Sequence, residues 1–387
     1  MSLDRAMALQ AAAWRLQQQW RLADAAAALA AAIAACGDQA PLDVANLLND
    51  LADVEAQRGD FCRSLDLAQR ALRLGPADAG AGDDETVARI RCRSLELSAA
   101  AARTQGVYRE AERALEEALG LATAVFGAAS FDVAQLNNSL GMVYKYWGRW
   151  DDARRLYDLV LQTVRASDGD NSDAAASVYH NLGGLLHAAG DYAQAEAPAR
   201  RAWDIARARH GDDDLETMRH AAACAAILDG QGRHDESVAI YRRALAVHEN
   251  VCGPDHPEVA GTCHNLGAAL AAQGALVEAA RQYRRALAIH ERTIGPEAPE
   301  AALTRQQLGR VLCAIGRADE GRRLLRVARR ALAARLPASH PFRTALAAET
   351  PGRAHRSPAP GRTVARRTET APHRRGPAPR TRRRRRR

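Results

Sequence analysis

Apolar and small residues recur along this chain at helical spacing, in blocks that themselves recur. In "VAGTCHNLGAALAAQG" (259–274), Cys263, Leu266, Gly267 and Leu270 fall on one helical face. Gly274 ends the block, since glycine accepts the left-handed conformation that closes a helix. The next block, "LVEAARQYRRALAIHERTIG" (276–295), repeats the pattern at Ala279, Tyr283, Ala286 and Leu287, and Gly295-Pro296 stops it. Pro299 and Glu300 open another helix, where proline loses no needed hydrogen bond and an acid suits the helix dipole. The elements predicted are pairs of helices joined by glycine turns.

The stretch "CHNLGAALAAQG" (263–274) returns as "YHNLGGLLHAAG" (179–190) and, more loosely, as "NNSLGMVYKYWG" (137–148). The turn glycines form a series: Gly59, Gly106, Gly148, Gly190, Gly232, Gly274 and Gly316, spaced by 47 and then five times by 42 residues. An active-site motif has no reason to recur at a fixed interval. A unit that cannot bury its own face, and stacks on copies of itself, does. Gly or Ala at 141, 183, 225, 267 and 309 marks where two helices must cross closely. Overpacking such a site costs about 1–3 kcal/mol. Four departures weaken the expected stacking: Ser98-Ala99, the insert "GPADAGAGDDE" (75–85), Pro198 inside a second helix, and Gly321 in place of an alanine.

Composition sharpens this to an all-α chain. Of 387 residues 47% are hydrophobic but only 4% aromatic, and alanine, the best helix former, supplies much of the apolar content. The segment 4–36 reads as an extra helical pair, giving an N-terminal cap (1–38), a repeat array (39–345) and a tail (346–387).

The pairs Leu140-Gly141, Leu182-Gly183, Leu266-Gly267 and Leu308-Gly309 resemble the tetratricopeptide repeat. So do the second-helix sets Ala153, Tyr157; Ser237, Tyr241, Ala244; and Ala279, Tyr283, Ala286. The 42-residue period, with "GPDHPEVA" at 253–260, is similar to the longer subtype found in kinesin light chains, and the resemblance spans about 40–345. It implies a right-handed superhelical solenoid of about seven repeats whose first helices line a concave groove. The heptads that pair light chains with motors are missing, so no motor partner is implied.

Within each first helix, positions 13, 10, 6 and 3 residues before the turn glycine form the stripe opposite the packed face. From the third repeat on, the tenth reads Asn138, His180, Ala222, His264, Gln306, and its neighbour Ser139, Asn181, Ala223, Asn265, Gln307. In the resembling family, asparagines here bracket a peptide backbone, which an amide suits because it both donates and accepts. The candidate peptide-binding residues are therefore Asn138, His180, Asn181, His264, Asn265 and Gln306, with Lys145, His187 and Arg310 adding positive charge. The alternative is that these side chains satisfy neighbouring helices or face water. The first repeat offers an acidic end (Asn46, Asn49, Asp50, Asp53), and the fifth is blank at Ala222, Ala223 and Ala226.

No catalytic constellation, cofactor site or metal site is expected. There is no G-x-x-x-x-G-K-[ST], H-E-x-x-H or G-x-S-x-G, and "GAG" at 80–82 follows no strand. His180 and His264 occupy equivalent positions, which suggests a shared surface role rather than a metal pair. Seven scattered cysteines without a C-x-x-C fit buried thiols in a reducing compartment. The N-terminus lacks a secretory pattern, and the longest apolar run (25–36) is too short to span a bilayer. A cytoplasmic protein without a membrane span is expected.

The formal charge of +8 is unevenly placed: residues 350–387 carry +13, leaving the rest at −5. This proline- and arginine-rich tail has too little apolar surface to bury and is expected to be disordered. It could attract nucleic acid or anionic surfaces, fold back on the acidic body, or have no selected role. The functional expectation is a non-catalytic scaffold or adaptor holding a partner peptide or helix in its groove. The alternative is a nucleic-acid-associated factor acting through the tail.

Overall fold

The computed structural model describes residues 2–19, 21–37, 40–74 and 84–335. The chain divides into two units, Met1–Ala347 and Ala348–Arg387. The basic tail lies outside the described residues, as does the insert of 75–85 apart from its last two residues, which begin a helix.

Sixteen helices and no strand are found among the described residues. They come in pairs: α1 (Ser2–Gln18) with α2 (Leu22–Cys36), α3 (Pro41–Gln57) with α4 (Phe61–Leu74), and α5 (Asp84–Thr104) with α6 (Tyr108–Phe126). Next come α7 (Phe131–Trp147) with α8 (Trp150–Ser167), α9 (Asp173–Ala188) with α10 (Tyr192–His210), and α11 (Leu215–Gly230) with α12 (His234–Cys252). Finally α13 (Pro257–Ala272) pairs with α14 (Leu276–Thr293), and α15 (Pro299–Ala314) with α16 (Ala318–Arg335).

Both ends of the middle repeats are fixed by local chemistry. The turn glycines within the pairs, such as Gly148 at φ 82° and ψ 12°, are left-handed. A second glycine series, Gly127, Gly169, Gly211, Gly253 and Gly295, has positive φ and shares the 42-residue period, closing the second helix of five repeats. It is followed by a third periodic series, the residues that begin the first helices. Ser130 Oγ accepts from the Val133 N–H at 3.3 Å and Ser172 Oγ from Ala175 at 3.2 Å. Asp214 accepts from Glu216 at 2.9 Å and His256 Nδ1 from Glu258 at 3.2 Å. Such caps satisfy amides that would otherwise have no partner.

The crossings are as close as the small residues suggest. A Cβ on Gly141 would lie 2.6 Å from Cε1 of Tyr157, and one on Gly267 3.0 Å from Cε1 of Tyr283. At Gly183 the Ala199 Cβ would be 3.1 Å away, and at Gly309 the Leu325 Cγ 2.9 Å. One reading of the departures changes. Gly321 does not loosen the last pair: a Cβ there would lie 2.5 Å from both the Gly309 carbonyl oxygen and Cys313 Sγ, so glycine is what lets α15 and α16 meet. Pro198 lies inside α10, which spans Tyr192–His210. A further close crossing, invisible in the repeat pattern, sets Gly230 against the ring of Tyr192, where an added Cβ would lie 2.5 Å from Cε1.

First helices pack on first helices: α3 on α5, α5 on α7, and so on to α13 on α15. Second helices make no comparable contacts with one another. The more tightly spaced layer is the inner wall of a curved stack. The curvature brings the ends of the array together, since a side-chain carbon on Gly59 would lie 3.7 Å from Cβ of Ala298.

Candidate functional site

The inner wall is built from α3, α5, α7, α9, α11, α13 and α15, each presenting the stripe opposite its packed face. Between α5 and α7 it opens into a cavity of about 440 Å³. Leu97, Leu115, Leu136 and Val143 give the cavity an apolar floor. Its polar lining includes Arg93, Glu96 and Arg103 from α5 and Gln135 and Ser139 from α7. These sit 13, 10, 9 or 3 residues before their turn glycines, so the register picked out in later repeats also faces inward here.

None of the nine candidate residues lines this cavity. Several instead tie neighbouring first helices together. Asn181 Nδ2 donates to Asn138 Oδ1 at 2.7 Å. His180 Nδ1 meets His220 Nδ1 at 3.2 Å, with the rings edge to face at 5.1 Å. His264 Nδ1 lies 2.9 Å from Thr304 Oγ1, and because that hydroxyl donates to the Glu300 carbonyl, His264 is the donor. The same device appears earlier in the array, where Ser94 Oγ donates to Asn49 Oδ1 at 2.8 Å and Ser139 Oγ to Glu96 at 2.5 Å.

His180 and His264 each contribute a contact between repeats. Both are half-buried and spend a ring nitrogen on the adjacent repeat. Burial, the largest cause, lowers the pKa of both to about 4, so neither brings charge to the groove at neutral pH. His220 was hidden because it lies two residues before the position at which the fifth repeat reads as blank. Gln306 is buried, and Arg310 donates to Gln307 Oε1 at 3.1 Å. His187 packs edge-on against Tyr192 at 5.3 Å, and burial lowers its pKa. Asn265 stays exposed, and its side chain makes no hydrogen bond to another described residue.

Lys145 differs from the rest. Its ammonium lies 4.9 Å from the centre of the Tyr146 ring, and so does the Arg103 guanidinium. Neither cation has a carboxylate within ion-pair distance among the described residues. Burial, with Arg103 as a second cause, lowers Lys145 to about 8. Two cations without a carboxylate partner among the described residues therefore share one exposed aromatic ring.

No group of three or more His, Cys, Asp or Glu among the described residues is placed to hold a metal ion, and none of their helices is long and apolar enough to cross a membrane.

The family model of the tetratricopeptide repeat matches five overlapping segments: 90–158, 132–208, 175–250, 214–292 and 259–334. Comparison with the curated proteins finds none that matches. Among solved structures, BtubC (BKLC) from P. vanneervenii is 24% identical, with 64% of this chain and 92% of that chain covered and a TM-score of 0.46. The apo form of RapI is 15% identical over 75% of this chain and 98% of its own, with a TM-score of 0.53. A signal-transduction ATPase with a tetratricopeptide sensor from Pyrococcus horikoshii is 14% identical over 81% of this chain and 44% of its own, with a TM-score of 0.50. Paired helices, glycine-dependent crossings and a repeat match that runs through most of the array together show that the chain belongs to the tetratricopeptide-repeat family.

Proposed function

We propose that this protein is a non-catalytic interaction scaffold that holds a segment of a partner protein along its inner wall. The observation that carries this is the Arg103–Lys145 pair beside an apolar-floored cavity. Half-buried charges without partners are costly, and a ligand carboxylate placed between them would recover that cost. Asn265 supports the reading, because its amide is free to meet a peptide group. Asn181 and Asn138 fit it less simply, since each already uses one amide atom on the other.

The test is capture from nuclease-treated lysate at high salt. The intact chain should retain the same protein partner as a version ending at residue 349. The double charge reversal Arg103→Glu with Lys145→Glu should lose it. Retention by the double variant would defeat the groove reading, and loss on removing the tail alone would favour the basic tail as the working element.

A pH dependence follows from the lysine. Lys145 titrates near 8, so affinity for the captured segment should fall as pH rises from about 7 to 9. The Lys145→Arg variant keeps its charge throughout and should show a flat profile in the same titration.

A further inference from the structure

We propose that the binding surface extends past the repeats onto α1, and that this end accepts a partner segment carrying a large apolar side chain next to a basic residue. The proposal rests on the reading of the inner wall as a peptide groove.

Helix α1 buries Ala6 and Ala13 against the core. Its other face is not the polar one expected of a cap. Leu3 is 43% exposed, and Met7 and Trp14 are each 62% exposed. Spacings of four and seven residues put the three on one stripe. Met7, Ala11 and Trp14 line a second cavity, of about 500 Å³, together with Leu29 of α2 and Asp50 and Asp53 of α3. The helix is held to that wall by amides: Gln10 Nε2 donates to Asp50 at 2.6 Å and Gln17 Nε2 to Asp53 at 3.0 Å. Asp53 and Arg93 line both cavities, so the apolar stripe of α1 continues directly into the inner wall.

Charge selects the occupant. Of the ionic side chains in this trough, Arg93 pairs with Asp50 at 2.9 Å and Arg89 faces Asp132 at 3.6 Å. Asp53 accepts only from the amides of Gln17 and Gln57. Glu96 accepts only from Ser139 and Gln135. Neither carboxylate has a cation within ion-pair distance among the described residues. The α1 end of the wall therefore combines a tryptophan-and-methionine surface with uncompensated negative charge. Further along, Arg103 and Lys145 are uncompensated positive charge. A segment lying from α1 toward α7 is read as apolar, then basic, then acidic. Exposed tryptophan beside partly buried charge is the composition of interface hot spots.

The experiment pans a displayed library of random short peptides against the full chain and then measures the enriched peptides, made synthetically, against variants. Enriched sequences should place an apolar residue beside Arg or Lys. Trp14→Ala should weaken them by about tenfold or more with an unchanged melting temperature, since that side chain is largely solvent-exposed. Repeating the selection on Asp53→Arg should exchange the basic residue for an acidic one. If Trp14→Ala and Asp53→Asn bind as tightly as the parent while Arg103→Glu with Lys145→Glu does not, the groove reading survives and the extension onto α1 is wrong. If no peptide is enriched, or none responds to either set of variants, both are wrong. If sedimentation shows a dimer that Trp14→Ala dissolves, a second copy covers α1 and the peptide proposal is overturned.

Discussion

Acidification from pH about 6.5 to 4 should remove several kcal/mol of stability from the array, before most of its carboxylates titrate. Four imidazoles drive this effect. His220 and His290 are buried, and His180 and His264 are half-buried. Burial is the first cause of a lowered pKa in all four, and it brings His264 and His290 down to about 4. The charged neighbours of the His180–His220 pair do not reverse this: Arg219 opposes protonation of both rings, Lys145 that of His180 and His210 that of His220, while Asp173 favours protonation of His220 without prevailing.

The folded state keeps these rings neutral, whereas the unfolded chain protonates them near 6.5. Between those values the unfolded state binds more protons, so stability falls as pH falls. At pH 5 each imidazole costs about 1–2 kcal/mol, and together they are comparable with the about 5–15 kcal/mol that holds a typical domain. The pair contact at 3.2 Å adds a geometric reason, because one Nδ1 must donate and the other accept, and double protonation sets two donors face to face. Thermal melts between pH 8 and 4 would show it: the melting temperature of the parent should drop steeply below 6.5, and His290→Leu with His264→Asn should flatten the curve. A melting temperature that holds constant down to pH 5 would remove the argument. The carboxylate contribution has its own window. Glu196, held down to about 2 first by Arg200, loses its share of stability only as pH falls from about 4.5 toward 2.

The second large effect is expected at the glycine–tyrosine crossing of the third repeat. Gly141→Ala should destabilise by about 1–3 kcal/mol although alanine is the better helix former. The added carbon would sit 2.6 Å from Cε1 of Tyr157, a ring that is fully buried. Removing the ring instead, as Tyr157→Ala, should cost about 3–5 kcal/mol by leaving a cavity. In the double variant the alanine at 141 no longer meets a ring, so the two costs should not add. Gly120→Ala is the control: it is helical, with nothing within 4 Å of the new carbon, and it should stabilise by about 0.4–1 kcal/mol. Denaturant titration of the four variants checks all of this, and equal gains at Gly141 and Gly120 would show that helix propensity, not the crossing, governs these sites.

The amino-acid sequence by itself determined the helices, their pairing and their period. Each depends on residues close in the chain: an apolar stripe at helical spacing, a glycine at a turn, a serine or aspartate at a helix start. Even the crossings at Gly141 and Gly267 were legible, because the tyrosine each glycine accommodates lies in the same repeat. What passes between repeats was not. Whether Asn138 meets a peptide or Asn181 depends on the angle and rise between two helical pairs, and no local pattern encodes either. The same is true of the His180–His220 contact. Gly321 is a case within one repeat, where the approach of the Gly309 carbonyl shows why glycine stands in place of alanine. Tertiary structure alone decided that the unpaired charges gather around α3, α5 and α7, that the exposed stripe of α1 joins that wall, and that residue 59 comes to rest beside residue 298. The reason is cumulative: small rotations between identical-looking repeats add up along the stack, and their sum sets which distant side chains meet.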